Sequence, residues 1–288
     1  MKRLFILATA AIVALASCAK TEVVYTDAPD QIAFKNYSNV MTKAALTTDL
    51  GVFANKTADQ EVYLPNTQFT LTDGVWTNTG AYWPYDGTLD FTVYAPYKAG
   101  TTYEEDVLTM TAVTAVDALY YGEARYLGKQ KENTPLAVAL NHVSAKITVN
   151  LTPATVYSVN SLSLTAVTTG TVSVNYDTPA VTATGTPAIV AFAMDDTDDV
   201  NDGLQLAPVY VLPGAQTAFT INFTQDNGEN DVTYEKTIDL SAASAKWDAN
   251  TAYTYNISIA GPDQIEISAT VNEYATGATT ALDEEDMN

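Results

Sequence analysis

The chain has very little cysteine and histidine, with one of each among its 288 residues. A single cysteine can form neither an internal disulfide nor a cysteine-rich metal site. A histidine that acts as a general base needs an orienting partner and a nucleophile, so we expect a structural role for His142. The nucleophile-elbow, zinc-protease and phosphate-loop motifs are missing as well. Carboxylates are numerous, but alone they do not specify a glycosidase, so we expect no enzyme and no cofactor.

Positive charge is also scarce, because 13 Lys and Arg residues stand against 34 Asp and Glu residues. Removing Lys2 and Arg3 leaves 11 basic residues against the same 34 acidic ones, a net charge of −23 for residues 18–288. A field of that sign repels nucleic acid and anionic lipid surfaces. The charge therefore excludes a nucleic-acid partner, and its simplest use is to keep an exported protein soluble.

The sequence contains one pronounced apolar run, at its N-terminus, and it is too short for a permanent membrane span of about 20 residues. Lys2 and Arg3 precede the apolar residues 4–15, as in a secretory signal peptide. Residues 15–18, Leu-Ala-Ser-Cys, look like the bacterial lipobox, in which the cysteine is acylated and becomes the first mature residue. We predict a lipoprotein signal peptide at residues 1–17 and a lipid on Cys18. The alternative is an incidental cysteine in an ordinary signal peptide.

Alternation of apolar and polar residues dominates the rest of the chain and is typical of half-buried β-strands. The clearest case is residues 143–151, where five apolar residues alternate with four polar ones. The same pattern recurs at residues 89–95, 219–223, 253–259 and 265–271, and the many Thr, Val, Tyr and Ile residues favour strands. We therefore predict an all-β protein built of β-sandwiches, since short strands with frequent turn signals are typical of that architecture.

Turn signals and a change of phase divide this pattern. Asp73-Gly74 and Asn227-Gly228 predict β-hairpins. Apolar residues fall on even positions at 136–140 and on odd positions from 143, so a bulge or a strand end is expected at Asn141-His142. About 270 mature residues suit two domains, which we place at residues 44–141 and 142–288. Residues 117–128 could hold one turn of helix.

Two features of the sequence could bind a ligand. The acidic residues between Asp195 and Asp202 could bind calcium through oxygen ligands, but their spacing does not fit an EF-hand loop, so a solvated loop is the simpler interpretation. Trp76, Trp83 and 18 tyrosines could form a platform on which sugars stack, although aromatic residues more often fill β-sandwich cores. The sequence alone does not separate these alternatives.

Several blocks, in order along nearly the whole chain, resemble the fimbrillin family, the subunits of type V pili of Gram-negative anaerobes. No block is specific alone; their order behind a lipobox carries the resemblance. They are MTKAAL (41–46), GVFAN (51–55), YWP (82–84), LDFTVYAPY (89–97), DALYYGEA (117–124), LNHVSAKITVNL (140–151) and WDANTAYTYNISI (247–259).

The resemblance implies two tandem transthyretin-like β-sandwich domains and a route of assembly. The subunit would be lipidated on Cys18 and delivered to the outer membrane surface. A trypsin-like protease would then cut near the N-terminus, and Lys43-Ala44 matches the family's cleavage position best. The cut would release residues 18–43 with a first strand, in which Ile32 and Phe34 face the core, and a strand of another pilin subunit would fill the groove.

The resemblance also leaves questions about the subunit's place in the fibre. Lys43 stands where an Arg-specific protease would need arginine, so an uncut subunit that stays lipid-anchored is conceivable. Residues 265–282 are the best candidate for a donated strand, but their second half is poor in large apolar residues, which mildly favours an accessory or tip role. Tip subunits often mediate adhesion, so a host or matrix receptor is a natural partner. The alternative function is a surface glycan-binding lipoprotein of a nutrient uptake system.

Overall fold

The computed structural model describes residues 30–36, 48–115, 120–128, 134–178, 180–194, 203–215, 218–228, 230–240 and 246–273. All regular secondary structure within these ranges is β-strand, which confirms the predicted all-β class. None of the described segments is a helix long and apolar enough to cross a membrane. The predicted signal peptide, Cys18, Lys43, Ala44 and the acidic residues 195–202 lie outside the described residues.

The first ten strands precede residue 143. In chain order they are β1 (Gln31–Asn36), β2 (Leu50–Lys56), β3 (Val62–Thr72), β4 (Val75–Tyr82), β5 (Leu89–Ala95), β6 (Thr102–Glu104), β7 (Val107–Thr114), β8 (Tyr120–Leu127), β9 (Leu136–Val138) and β10 (Asn141–His142). The one-turn helix considered for residues 117–128 is wrong where the structure describes it. Residues 120–127 form β8 because they pair with β5 from Ala95↔Tyr120 to Leu89↔Leu127.

The remaining thirteen strands follow residue 144. They are β11 (Ala145–Pro153), β12 (Tyr157–Ala166), β13 (Thr169–Asn175), β14 (Ala180–Thr184), β15 (Ala188–Ala191), β16 (Leu204–Gln205), β17 (Val209–Val211), β18 (Gly214–Ala215), β19 (Ala218–Gln225), β20 (Val232–Asp239), β21 (Lys246–Trp247), β22 (Thr251–Gly261) and β23 (Gln264–Glu273).

The first half forms a sandwich-like unit from one continuous ladder in the order β10-β8-β5-β2-β3-β4-β1-β9. The long β3 pairs with β2 through its first part and with β4 through its last, so it passes from one layer to the other. The predicted Asp73-Gly74 hairpin is confirmed, since both residues have positive φ (52° and 80°) between the paired Thr72 and Val75. The core between the layers contains Phe34, Phe69, Trp76, Trp83 and Phe91, among others.

The second half forms a sandwich of two sheets. One has five described strands, β16-β11-β22-β23 with β17 also paired to β11, and the other has four, β15-β12-β19-β20. The predicted alternation holds, because every second residue of β11 from Ala145 is buried. The inner faces supply the core, which includes Ile147, Leu164, Phe219 and Tyr255. The predicted hairpin at Asn227-Gly228 also forms between β19 and β20, with a loop longer than two residues and φ of 77° at Gly228.

A third sheet, β14-β13-β7-β6, joins strands from both halves of the sequence. In it, β7 pairs with β13 from Val107↔Asn175 to Thr114↔Thr169. A separate buried cluster packs against this sheet and contains Tyr94, Met110, Val143, Val172 and Leu212. Two large cores thus lie on either side of the predicted boundary near residue 141, and sheet pairing crosses it. The boundary itself and the transthyretin-like topology of each half remain predictions.

Candidate functional site

The first described strand, β1, lies inside the ladder of the first sandwich. It pairs antiparallel with β4, where Phe34 is opposite Trp76, and parallel with β9, where Phe34 is opposite Leu136. Residues 37–49 separate the strand from β2, and this stretch contains Lys43. This early strand is therefore second from the end of the ladder, next to the short strand β9, and has a main-chain neighbour on both sides.

The side chains of β1 alternate between core and surface. Ile32 and Phe34 are fully buried, Ala33 is half-buried and Lys35 is exposed. This confirms that Ile32 and Phe34 face the core. Burying one such apolar side chain typically contributes about 1.5–3 kcal/mol, so these two side chains and the two strand ladders hold β1 in place.

The Phe34 ring fits a pocket made of aromatic side chains. Its centroid is 5.1 Å from that of Phe69 and 5.4 Å from that of Phe91, and both contacts are edge-on. Trp83 packs on the far side of Phe91 with centroids 5.7 Å apart. Edge-to-face pairs of this kind are favourable beyond the area that they bury. The pocket belongs to the body of the sandwich, and only its occupant comes from β1.

Hydrogen bonds tie the start of β1 and the residues before β2 to β4 and to Trp83, which follows β4. The main-chain N–H of Trp83 donates to the carbonyl of Asp30 at 2.9 Å. The amide group of Gln31 donates from Nε2 to the carbonyl of Asn78 at 2.5 Å. On the other side of the segment 37–47, the indole N–H of Trp76 donates to the carbonyl of Thr48 at 2.9 Å. The start of β1 and Thr48 are thus both held by residues of β4 or by Trp83, which follows it.

A second buried feature stabilises the far end of the first sandwich. The hydroxyl of Tyr94 lies 2.6 Å from Oδ1 of Asn66 and 2.8 Å from the carbonyl of Lys98. The amide of Asn66 donates to carbonyls of Lys98, Ala99 and Thr101 at 3.0–3.2 Å. Burial raises the pKa of the Tyr94 hydroxyl, because the charged phenolate would lose its hydration. This cluster fixes the loop after β5 and is structural.

The two tryptophans considered for a sugar platform lie in the cores. Trp76 is 2% exposed and Trp83 is 7% exposed, and Trp247, the third tryptophan, is 1% exposed. None of them can stack on a ligand at the surface. The observation removes the tryptophan basis of the glycan-binding alternative, while exposed tyrosines such as Tyr85 remain on the surface.

The strand proposed for donation, β23, is an edge strand. It pairs with β22 from Thr251↔Glu273 to Gly261↔Gln264, and among the described strands none pairs with its other side. Ile265, Ile267 and Ala269 are half-buried against the second core, whereas Val271 is half exposed. The predicted alternation is confirmed over residues 265–269 and does not extend to Val271. Residues 274–288 lie outside the described part of the chain.

The remaining site predictions fall elsewhere. His142 is buried in β10 and its main-chain N–H donates to Oδ1 of Asn250, which agrees with a structural role. Within the described ranges, no three His, Cys, Asp or Glu side chains are grouped to hold a metal ion. The calcium question at Asp195–Asp202 concerns residues that the structure does not describe, so it stays open.

The model of the fimbrillin-like family matches residues 39–273. The chain belongs to the fimbrillin-like family. This membership supports a cell-surface pilus subunit or adhesin that assembles with other subunits, rather than an enzyme. No curated protein matches the chain significantly.

Solved structures of three proteins from Bacteroides species share the fold. A candidate cell adhesion protein from Bacteroides uniformis matches with a TM-score of 0.55 and 21% identity, over 85% of this chain and 100% of that one. Another from Bacteroides eggerthii matches with a TM-score of 0.56 and 13% identity, over 85% and 96%. A third from Bacteroides ovatus has a TM-score of 0.52 and 13% identity, over 87% and 99%. At these identities the likeness is one of fold.

Proposed function

We propose that this fimbrillin-like chain is a structural pilus subunit that is exported as a lipoprotein and joins its neighbours by strand exchange. The observation that carries the proposal is the position of β1. A strand near the start of the chain lies between β4 and β9, fills the core with Ile32 and Phe34, and is followed by a segment that contains a basic residue.

Removal of β1 would leave a defect that another strand can repair. The facing main-chain groups of β4 and β9 would lose their partners, and the aromatic pocket around Phe34 would open. Unpaired strand edges are templates for another chain, and strand addition restores hydrogen bonds while alternate side chains refill the pockets. The subunit's own β1 would therefore keep it from polymerising until a protease releases that strand.

The trigger in this proposal is cleavage at Lys43-Ala44 by a trypsin-like surface protease. Lys43 lies in the sequence between the end of β1 and the start of β2, so a cut there would separate β1 from the rest of the chain without cutting any described strand. Cys18 precedes β1, so the same cut would also detach the subunit from its lipid in the outer membrane. Processing and release would thus be one event.

Limited trypsin digestion of the purified precursor tests the proposal. We expect an N-terminus at Ala44, loss of residues 18–43 and multimers that resist SDS. The matched control is Lys43→Gln. This variant should not be cleaved after residue 43 and should stay monomeric under the same conditions. Fibres that assemble while the Lys43-Ala44 bond is intact, as read by N-terminal sequencing, would overturn the processing step.

Mass spectrometry of the surface-extracted protein tests the anchor separately. We expect an acylated Cys18 at the mature N-terminus of uncut molecules and no lipid on a Cys18→Ser variant. An unmodified cysteine in wild-type protein, or an N-terminus that includes the apolar residues 4–15, would show that the chain is not a lipoprotein. That result would leave strand exchange itself untouched.

A further inference from the structure

The free edges of the sheets differ sharply in charge. The edge strand β20 carries Glu235 and Lys236, β23 carries Glu266, and β6 is three residues long and ends at Glu104. Natural proteins place charges on edge strands, or keep them very short, to prevent pairing with another chain. These edges are therefore protected.

The edge strand β14 has no such protection. It contains Ala180, Val181, Thr182, Ala183 and Thr184, it pairs on one side with β13, and within the described residues its other side ends the sheet. Between Lys146 and Asp195 the sequence has one charged residue, Asp177. The next strand, β15, is also an edge strand and exposes 78% of Ile189.

The side chains of β14 are suited to a continued sheet. Val181 and Ala183 are half-buried and pack against the cluster that joins the two halves, whereas Ala180, Thr182 and Thr184 are exposed. A strand added beside β14 would therefore place alternate side chains toward the buried cluster and toward solvent, as β14 itself does. Pro187 follows β14 and no proline lies within it, so the ladder of β14 is not interrupted.

We propose that β14 is a self-association edge, at which two copies of this chain pair antiparallel through β14 about a two-fold axis. Centred on Thr182, such pairing places Thr182 opposite itself, Val181 opposite Ala183 and Ala180 opposite Thr184. Every facing pair is small and uncharged, as a self-complementary interface requires. The two sheets β14-β13-β7-β6 would then merge into one sheet across the axis.

The distribution of charge favours pairing of two copies of the chain at β14 rather than at another edge. Two exported copies, each with a net charge of −23 over residues 18–288, repel one another over most of their surfaces. The neutral stretch around β14 is where they can meet with the least repulsion. This pairing uses an edge remote in sequence from β1, so it is independent of strand exchange and would add lateral contacts between subunits.

The first experiment measures the oligomeric state of the exported chain with β1 intact and with Cys18→Ser, so that neither exchange nor a lipid contributes. Sedimentation velocity at protein concentrations up to about 200 µM should show a weak dimer, because five-residue strand pairing buries a small interface. Raising the salt from about 50 to 300 mM should tighten the dimer, since salt screens the repulsion between the copies. A monomer at every concentration and salt level would overturn the proposal.

The second experiment locates the interface with matched variants. Thr182→Lys places a charge at the centre of β14 and should weaken the dimer at least about tenfold, as like charges directly opposite are unfavourable. Thr237→Lys makes the same change on the edge strand β20 and should leave the dimer unchanged. Equal effects of the two variants, or none from Thr182→Lys, would place the contact elsewhere and overturn the proposal. Circular dichroism checks that both variants fold.

The third experiment uses the absence of other thiols. With Cys18→Ser as background, Thr182→Cys provides one thiol that faces its own copy across the axis, where opposite Cβ atoms of paired strands lie about 4.5–5.5 Å apart. Mild oxidation should give a disulfide-linked dimer of Thr182→Cys far faster than of Thr237→Cys. Equal rates for the two variants would indicate random collision and contradict β14 pairing.

Discussion

The ring of Phe34 stands edge-on to the ring of Phe69, with 5.1 Å between centroids and 78° between planes. Phe34 belongs to β1 and Phe69 to β3, so this contact joins the strand proposed for release to the body of the first sandwich. Phe34 is fully buried and has no polar atom to satisfy. The strength of this contact therefore helps to determine how firmly the first sandwich retains β1.

Replacement of Phe34 by alanine is the direct test of that hold. We expect Phe34→Ala to lower the free energy of unfolding by about 3–5 kcal/mol, the usual cost of a large cavity in a packed core. The exposed neighbour Lys35 provides the control, and Lys35→Ala should change stability by less than about 0.5 kcal/mol. Chemical denaturation followed by tryptophan fluorescence measures both. Similar losses in the two variants would show that β1 is not held through its inward side chains.

A glycine in β2 is required by the tyrosine of the neighbouring strand. A Cβ atom added at Gly51 would overlap the ring of Tyr94, which the Asn66 hydrogen bond holds in place. We expect Gly51→Ala to cost about 1–3 kcal/mol through overpacking. Gly80→Ala is the matched control, because the added Cβ would meet nothing closer than 3.5 Å, from Asn78. Thermal unfolding of both variants measures the difference, and a tolerated Gly51→Ala would contradict the packing described.

The strand pattern could be predicted from sequence because it is local. Alternation over residues 143–151 predicted the inward face of β11, and Asp73-Gly74 predicted its hairpin, since both signals lie within a few residues. The pairing of β1 with β9 joins residues about 100 positions apart, and that of β7 with β13 crosses the predicted boundary. Such pairings depend on which edges meet in the folded chain, and no spacing in the sequence reveals them.

Only part of the candidate site could be predicted from the sequence, for the same reason. The burial of Ile32 and Phe34 follows from alternation in β1, but the aromatic pocket around Phe34 combines residues from separate strands. The requirement for glycine at position 51 also arises in three dimensions, since Tyr94 is 43 residues away in sequence. The cleavage and lipidation residues came from motif order alone, and they stay predictions.

Alkaline pH should destabilise the protein through Tyr94. Burial raises the pKa of its hydroxyl above the ordinary value of 10.0, so the folded state favours the neutral form more strongly than the unfolded state does. The stabilisation is complete below pH 10 and is lost as the pH rises from there through the folded-state pKa. Melting temperatures between about pH 8 and 11.5 should fall less steeply for Tyr94→Phe than for wild type. Parallel slopes would contradict a role for Tyr94 in this loss.

An inward-facing lysine protects the edge strand β20. Lys236 is opposite Ile221 in the ladder, and its ammonium group contacts Asp263, in the turn between β22 and β23 of the opposite sheet, at 2.9 Å. The Asp263 side chain is 93% exposed, so the ion pair contributes little to stability. The charge instead makes β20 unsuitable for pairing with another chain, because an added strand would bring its own side chains over a desolvated ammonium group.

Replacement of Lys236 by methionine separates these two roles. Lys236→Met keeps an unbranched apolar stem against the core, so the free energy of unfolding should change by less than about 1 kcal/mol. Loss of the charge should nevertheless increase self-association, seen as light scattering that grows with protein concentration. Lys246→Met is the control, because Lys246 also pairs with an exposed aspartate, Asp248, but lies on the two-residue strand β21. If Lys236→Met stays as monodisperse as Lys246→Met, Lys236 does not guard the edge, and protection of β20 must come from Glu235 and Asp239.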